Sequence, residues 1–210
     1  MTRRLSALFL LATSAAFAQT PASAPATNPA DDPKSALRTL EKNMLAGDEK
    51  ATFDSFVFAD DHSRQTAHAI FDPQIAAARL QKALEAAFPN DPGLPHLIPP
   101  PAEIQSENDS LEAAPVSRTG NSAVITPAGG EKYTVVRQDG TWKVDFDATL
   151  KSVGDLPPAA ELARAPKLVQ AFDSVTADVN AKKFKSPTEA LAALQSRTDA
   201  LAPITPATQP

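Results

Sequence analysis

Apolar residues along this chain follow a helical spacing, then an alternating spacing, then a helical spacing again. The first helical region extends from Leu37 to Phe88, the alternating region from Val116 to Phe146, and the second helical region from Leu168 to Leu201. A period near 3.6 residues is typical of an amphipathic helix, and a period of two is typical of a half-buried strand. This order predicts an α+β fold, with N-terminal helices packed on an antiparallel sheet and a helical extension at the C-terminus.

Local signals place the helices of the first region. Asp32 is a capping residue, and Pro33 suits the first position of a helix. A second helix is expected from Asp48, with an apolar stripe of Phe53, Phe56 and Val57. A third is expected after a cap at Ser63, and Pro73 should kink or divide it because proline lacks the backbone N–H.

A proline-rich segment separates the helical region from the alternating one. Its prolines are Pro89, Pro92, Pro95, Pro99, Pro100 and Pro101. Such a run is extended and rigid, so we expect a non-helical crossover connection between two layers of the fold. A ligand for a proline-recognition domain is the alternative interpretation.

The most specific local signal is Asp139-Gly140, which predicts a two-residue type I′ turn between two strands. Pairing outward from this turn sets Arg137 opposite Trp142, Val135 opposite Val144 and Tyr133 opposite Phe146. These six side chains then share one face of the sheet, and Thr134, Lys143 and Asp145 share the other. The first face is largely apolar, so another layer must cover it.

The C-terminal region carries a second apolar stripe and a second helix start. The stripe consists of Leu168, Phe172, Val175 and Val179. Ser186-Pro187-Thr188-Glu189 has the pattern of a capping box with proline in the first turn. We therefore expect two amphipathic helices here.

Helices followed by an antiparallel meander that ends in the segment Tyr133–Asp145, YTVVRQDGTWKVD, resemble a known superfamily. It is the cone-shaped α+β superfamily of nuclear transport factor two, ketosteroid isomerase and SnoaL-like proteins. The resemblance covers about residues 34–150 and implies a curved, cone-like sheet around a pocket. Proteins of this fold include isomerases, dehydratases and binding or assembly modules, so the fold alone does not choose a function.

The two ends of the chain differ from the rest. Residues 1–18 have a basic start, an apolar run and a small-residue end, the pattern of a signal peptide cleaved between Ala18 and Gln19. The alternative, an uncleaved membrane anchor, needs about 20 apolar residues, and this run is shorter. Residues 19–33 are expected to form a disordered Pro/Ala-rich tether and residues 203–210 a disordered tail. Between them we expect a cone-like domain over 34–150 and a helical extension over 151–202.

Net charge and cysteine content limit the cellular compartments and the classes of partner that we expect. Cleavage would remove two arginines and no acids, so the formal charge of -5 would become -7. An acidic chain without a basic patch argues against nucleic acid and anionic membranes as partners. The chain has no cysteine, which excludes disulfides, thiol nucleophiles and thiolate metal sites. A secreted or periplasmic protein stabilised by an ordinary packed core is expected.

Four residues are candidates for a ligand pocket: Tyr133, Arg137, Trp142 and His96. In the cone fold, an inward tyrosine can donate a hydrogen bond to an oxyanion, although such catalysis also needs a general base and none is identifiable. Core packing is the alternative interpretation for Tyr133 and Trp142. Arg137 opposite Trp142 suggests either an anion site or a cation–π contact. His96 lies in the proline segment, at a pocket rim or on the surface.

No catalytic residue, cofactor or metal site is predicted. His62 and His68 are six residues apart and do not share one helix face, and zinc needs three or four converging ligands. The glycine fingerprints of phosphate loops and dinucleotide sites are missing from the sequence, as is a Gly-x-Ser-x-Gly nucleophile motif.

We therefore expect an exported, non-catalytic binding or assembly module of the cell envelope or periplasm, with a small apolar ligand or an envelope protein as its partner. A small-molecule isomerase or dehydratase that uses acid–base chemistry in the cone is the first alternative. A structural partner that docks through its C-terminal helices is the second. Charged side chains inside the cone would favour the enzyme, and an exposed Leu168/Phe172/Val175 stripe would favour docking.

Overall fold

The computed structural model describes residues 31–154 and 157–201. The expected signal peptide, residues 19–30 of the tether and the tail at 203–210 lie outside the described residues. The chain divides into two compact units that alternate along the sequence. The first unit takes the chain up to Ala67 and from Pro99 to Pro157, and the second takes His68–Ile98 and the chain from Pro158 onward.

The first unit begins with two short helices, α1 (Ser35–Leu45) and α2 (Glu49–Asp54). The side chain of Asp32 accepts the N–H of Lys34 at 3.0 Å, which stabilises the turn before α1. Asp48 is the N-cap of α2 and accepts the N–H of Ala51 at 2.9 Å. Asp48 therefore caps α2 by its side chain, as the sequence indicated. The expected start of the first helix was wrong, because Lys34 is the N-cap residue of α1, and Asp32 and Pro33 precede it.

A five-stranded sheet forms the centre of the first unit, in the order β1-β5-β4-β3-β2. The strands are β1 (Phe56–Val57), β2 (Val116–Thr119), β3 (Ser122–Ile125), β4 (Tyr133–Gln138) and β5 (Thr141–Asp145). The α+β class is confirmed, but the sheet is mixed because β1 pairs with β5 in parallel. The prediction of an entirely antiparallel sheet was therefore wrong. Helix α1 lies against β5.

The segment at Phe56 and Val57 corrects a second expectation. The sequence placed both residues in a helix, but α2 ends at Asp54, and Phe56 pairs with Val144 in the sheet. The N–H of Val144 donates to the carbonyl of Ser55 at 2.9 Å. Partners distant in sequence therefore override the helical spacing here.

The hairpin at Asp139-Gly140 is confirmed. Asp139 and Gly140 both have positive φ, 51° and 78°, as a type I′ turn requires. Arg137 pairs with Trp142, and Val135 pairs with Val144.

The outermost expected pair of the hairpin was wrong. Tyr133 pairs with Ile125 of β3 instead. Phe146 starts helix α5 (Phe146–Val153), because Asp145 caps it by accepting the N–H of Ala148 at 2.9 Å. The Phe146 ring remains buried and meets the Phe56 ring edge-on, with centroids 5.9 Å apart.

The proline segment is non-helical only in part. Helix α4 (Pro101–Ala113) begins at its last proline, with Pro100 extended at the N-cap position. Proline suits the first turn of a helix, because that N–H has no intrahelical partner. The expectation that the extended connection includes Pro101 was therefore wrong, and α4 adds a helix that the sequence did not predict.

Helix α3 (Asp61–Ala87) is unbroken, with Pro73 inside it. Its start is fixed by Asp60, whose carboxylate accepts the N–H of Ser63 at 2.7 Å, so Asp60 and not Ser63 supplies the cap. The sequence predicted that Pro73 kinks or divides this helix, and the division was wrong, because one helix continues through the proline. Ile70, Phe71 and Ile75 are almost fully buried around the proline, and this packing offsets the lost backbone hydrogen bond. None of the described helices, including this one, is long and apolar enough to cross a membrane.

The second unit is helical. Its core joins Leu80 and Leu84 of α3 to Val175 and Val179 of α7 (Ala165–Asn180) and to Leu194 of α8 (Pro187–Asp199). A one-turn helix, α6 (Ala159–Leu162), precedes them. The sequence assigned residues 68–98 to the cone-like domain, whereas the structure groups them with the C-terminal helices.

The Ser186 half of the expected capping box of α8 is present, and Glu189 binds the residue before the cap. Ser186 accepts the N–H of Glu189 at 3.3 Å, and the Glu189 carboxylate accepts the N–H of Lys185 at 2.7 Å. These contacts begin α8 at the expected residue, and α8 then packs on α7.

Candidate functional site

Tyr133 is the first residue of β4 and lies on the buried face of the sheet. Its side chain is nine-tenths buried. Within residues 31–154 and 157–201, no hydrogen bond is made by its hydroxyl group. Burial, followed by the charges of Glu131 and Glu107, raises the pKa of Tyr133 to about 12. The hydroxyl is therefore a protonated donor at any physiological pH.

Trp142 lies on the same face and is also buried. The guanidinium of Arg118, on the edge strand β2, lies 5.1 Å from the centre of its ring. The sequence had suggested Arg137 for such a cation–π contact, and Arg118 takes that place. The indole Nε1 is buried and has no hydrogen-bond partner in the part of the chain that the structure describes.

Arg137 is engaged elsewhere. Its Nη1 forms an ion pair with Asp31 at 2.9 Å, and its Nε donates to the carbonyl of Gly140 at 3.4 Å. The guanidinium therefore supports the hairpin turn and the start of the first unit. No anion site is needed to explain its position.

His96 is exposed and belongs to the second unit. The next residue, Leu97, donates its N–H to the buried side chain of Gln81 at 3.0 Å. This bond holds the proline segment while the imidazole of His96 faces solvent.

The other two histidines lie on α3. His62 is exposed, and His68 Nδ1 lies 3.1 Å from the carboxylate of Asp72, one turn further along the helix. Asp60 and Asp61 flank the start of the helix, as expected for negative charge at an N-terminus. The absence of a metal requirement remains a prediction.

Two side chains at the start of α1 contact Glu112, near the end of α4, in the first unit. Arg38 Nε donates to the carboxylate of Glu112 at 2.7 Å, and Lys34 donates to the carbonyl of Glu112. Three residues further along α1 is Glu41, and five residues back along α4 is Glu107. The charge of Glu41 contributes to the raised pKa of Glu107, so these two carboxyl groups interact.

Glu107 is the most unusual ionisable group of this surface. It is nine-tenths buried, although it carries a carboxyl group. Burial, and then the charges of Glu41 and Glu103, raise the pKa of Glu107 to about 7. Near neutral pH this carboxyl group therefore exchanges between a charged and an uncharged form.

Further carboxyl groups surround Tyr133 and Glu107. Burial raises the pKa of Glu41 above its usual value, and its Oε1 is buried without a hydrogen-bond partner among the described residues. Oε2 of Glu131, two residues before Tyr133, is also buried without a hydrogen-bond partner among the described residues. We call Glu41, Glu103, Glu107, Glu131 and Tyr133 the acidic cluster.

The acidic cluster has no partner cation among the residues that the structure describes. None of its four carboxylates forms an ion pair with a described lysine, arginine or histidine. On α1, Arg38 is paired with Asp32 and Glu112, and Lys42, the residue after Glu41, is exposed. The carboxylates of the cluster therefore form no ion pair with a described residue, although the exposed Lys132 lies between Glu131 and Tyr133 in the sequence.

Sequence reasoning found Tyr133 but missed its carboxyl neighbours. Glu103, Glu107 and Leu111 are spaced by four residues, which is a helical repeat. The preceding prolines concealed this repeat, because they led us to expect extended chain. Recognising Pro101 as the first residue of a helix would have placed Glu107 on the same face as the buried Leu111.

The arrangement supports two kinds of chemistry. A neutral Tyr133 and a partly ionised Glu107 can hold the polar group of a ligand by hydrogen bonds. A carboxyl group with a pKa near 7 can also act as a general acid or base, because it is present in both forms. Comparison of the chain with family models, curated proteins and solved structures gave no match.

Proposed function

We propose that this chain is an exported, non-catalytic binding module of the cell envelope or periplasm, and that the acidic cluster of the first unit holds the polar group of a small, largely apolar ligand. The observation that carries this proposal is a set of buried polar atoms in the first unit. Oε1 of Glu41, Oε2 of Glu131 and Nε1 of Trp142 are buried and have no hydrogen-bond partner among the described residues. A buried polar group without a partner lowers stability, so its presence is best explained by a partner that binds.

The proposal keeps the cone-like sheet implied by the resemblance. In that fold the concave face of the sheet receives the ligand. The side chains of Tyr133, Val135, Trp142 and Val144 belong to the buried face here, which supports an apolar environment for the ligand body.

An acid–base enzyme of the isomerase or dehydratase kind is a second candidate, and the pKa of Glu107 favours it. Perturbed carboxyl groups near a tyrosine occur at many catalytic sites. Docking through the C-terminal stripe has less support, because Val175 is fully buried and Phe172 packs against the core of the second unit.

Removing the Tyr133 hydroxyl should separate binding from stability. A set of phenyl and cyclohexyl compounds with amine, alcohol or carboxylate groups can be screened by ligand-observed NMR. We expect a binder whose affinity falls about three- to tenfold in Tyr133→Phe, since one hydrogen bond is lost. The melting temperature should hardly change, because no described residue depends on this hydroxyl. Thr134→Ala, on the other face, is the matched control and should bind normally.

A large drop in melting temperature for Tyr133→Phe would show a structural role and contradict the proposal, as would binding that ignores the substitution. The enzymatic candidate is tested in the same samples by adding cyclohexanone in heavy water. If the protons next to the carbonyl group exchange, and this exchange requires Glu107, the acid–base enzyme replaces the binding module as the proposed function.

Export makes a separate prediction. When the full chain is expressed in a bacterium with a periplasm, mass spectrometry of the periplasmic protein should show a mature N-terminus at Gln19. Ala18→Phe should block this cleavage, because signal peptidase requires a small residue there. Periplasmic wild-type protein that retains residues 1–18 would contradict the proposal of a cleaved signal.

A further inference from the structure

We infer that residues 19–30, the part of the expected tether that precedes Asp31, pair with β2 as a further strand and cover the open edge of the sheet. The inference is independent of the proposed ligand site, because it concerns backbone groups at the sheet edge. The two edges of the sheet differ. Strand β1 is buried or half-buried, whereas all four residues of β2 are exposed.

Two residues of β2 direct their backbone groups away from the sheet. In an antiparallel pair of strands, hydrogen-bonded and non-bonded residue pairs alternate. The N–H of Thr126 donates to the carbonyl of Pro115 at 3.1 Å, so these two residues form a bonded pair. Counting from this pair, Val116 and Arg118 fall at the non-bonded positions. Their outward N–H and C=O groups have no hydrogen-bond partner among residues 31–154 and 157–201.

The same edge exposes an apolar side chain. Within the described ranges, Val116 is the one large hydrophobic residue that is exposed, at 38%. An open edge of this kind is a template for another strand, and proteins usually cover or protect it. Arg118 does not extend over the edge, because its guanidinium lies 5.1 Å from the centre of the Trp142 ring and its Nε donates to the carbonyl of Gly120 at 3.4 Å.

The described chain begins at the end of the sheet where β2 also ends. Oδ1 of Asp31 lies 2.9 Å from Nη1 of Arg137, near the end of β4. The N–H of Arg137 donates at 2.7 Å to the carbonyl of Asn121, in the turn between β2 and β3. A segment that leads to Asp31 along the edge therefore runs in the same direction as β2 and pairs with it in parallel.

The segment is long enough to reach the edge. A strand added beyond β2 lies three strand spacings, about 14 Å, from β4. The chain from Ala26 to Asp31 can extend to about 17 Å. Ala26 can therefore lie beside the end of β2, and the residues before it can pair along the strand.

The prolines of the segment have the spacing of an edge strand. They are four residues apart: Pro21, Pro25 and Pro29. Successive residues of a strand direct their backbone groups to opposite sides, so residues four apart share one side. Proline is tolerated in an edge strand when the position of its missing N–H faces solvent. With all three rings on the outer side, the N–H groups of Ala22, Ala24 and Ala26 face β2.

These alanines match the open residues of β2. In a parallel pair, each open residue bonds to the two residues that flank its partner. Ala22 and Ala24 flank the partner of Val116, and Ala24 and Ala26 flank the partner of Arg118. Ala24 is the middle residue, which accepts the N–H of Arg118 and donates to the carbonyl of Val116. The pairing uses backbone groups, so it does not need the core-forming side chains that this segment lacks.

Hydrogen exchange of the mature chain, followed by NMR, tests this inference. At an open edge, the N–H groups of Val116 and Arg118 face water and exchange as fast as in an unfolded peptide. With the added strand in place, we expect both to exchange at least about tenfold more slowly. The protein should remain monomeric in sedimentation, because the outer side of the added strand lacks the N–H groups of its prolines.

Two variants that each add one proline make the test specific. Ala24→Pro removes the N–H that bonds to β2, so Val116 and Arg118 should exchange as fast as in an unfolded peptide. Ser23→Pro is the matched control, because its ring points to the outer side, and it should keep the protection. Loss of protection in Ala24→Pro alone supports the proposed strand and its register.

Other outcomes would overturn the inference. Fast exchange of both amides in the wild type would show that the edge is open. Protection that survives both Ala24→Pro and the removal of residues 19–30 would show that this segment does not cover β2. Protection that increases with protein concentration, together with a dimer in sedimentation, would replace the segment by a second copy of the chain. Equal loss in Ser23→Pro and Ala24→Pro would contradict the assigned side of the prolines.

Discussion

Replacing Trp142 with alanine should lower the free energy of unfolding by about 3–5 kcal/mol. The indole is 3% exposed, on the face that the hairpin register directs into the core, and alanine would leave a cavity there. Its Nε1 has no described partner, so no hydrogen bond is lost, and the expected effect comes from packing and from the cation–π contact with Arg118. Denaturant titration followed by circular dichroism measures the change.

Two variants accompany this measurement. Lys143→Ala, one residue further along β5 and on the opposite face, should cost under about 1 kcal/mol. Trp142→Phe keeps an aromatic ring and removes the unpaired N–H, so it should cost roughly half as much as alanine or less. If Lys143→Ala lowers the free energy of unfolding as much as Trp142→Ala does, the wrong face of the sheet is assigned to the core.

Replacing Glu107 with glutamine should remove a pH dependence of stability of about 1–3 kcal/mol. The pKa of Glu107 in the folded protein is about 7, against a usual value of 4.5. The folded state therefore holds the proton more tightly, and the contribution to stability is complete below about pH 4.5. It is lost as the pH rises through 7, where the buried carboxyl group becomes charged.

Urea titrations at pH 4 and pH 8 measure this effect. At pH 4, Glu107→Gln should match the wild type, because the protonated carboxyl group and the amide are alike in size and charge. At pH 8 the variant should be more stable by the amount given above. The difference between variant and wild type cancels the titration of all other groups. A variant that is less stable than the wild type at pH 8 would show that the ionised carboxylate has a stabilising partner.

Signals that lie within a few residues of one another were enough to predict much of the fold. The Asp139-Gly140 turn sets the register of β4 and β5 by local geometry, and the register determines that Val135 and Trp142 are buried. The cap at Ser186 likewise determines the start of α8. These elements could be predicted because their causes are local.

Elements that depend on distant partners could not be predicted in this way. Phe56 has helical spacing with its neighbours and becomes a strand because Val144 offers an edge to pair with. Pro73 disfavours a helix, and the burial of Ile70 and Ile75 on both sides outweighs that local cost.

The same division applies to the candidate site. The alternation of β4 predicted that Tyr133 points inward, but it gave no information about Glu107, whose burial follows from the packing of α4 in the first unit. The pKa of Glu107, near 7, depends on burial and on the charges of Glu41 in α1 and Glu103 in α4. Such a property can be derived only after the fold is known.

The alternation of the two units along the chain has a consequence for the time at which each can fold. The N–H of Ala59 donates to the carboxylate of Asp147, which lies 88 residues away. The pairing of β1 with β5 joins residues with the same separation in sequence. The second unit also combines an early segment with one that follows Pro157. Contacts between residues so distant in sequence form late, because the intervening chain must first be ordered. Neither unit can therefore be completed on a nascent chain until most of it has been synthesised. Delayed folding of this kind would keep the chain unfolded, and therefore able to pass through a secretion channel that accepts only unfolded polypeptide.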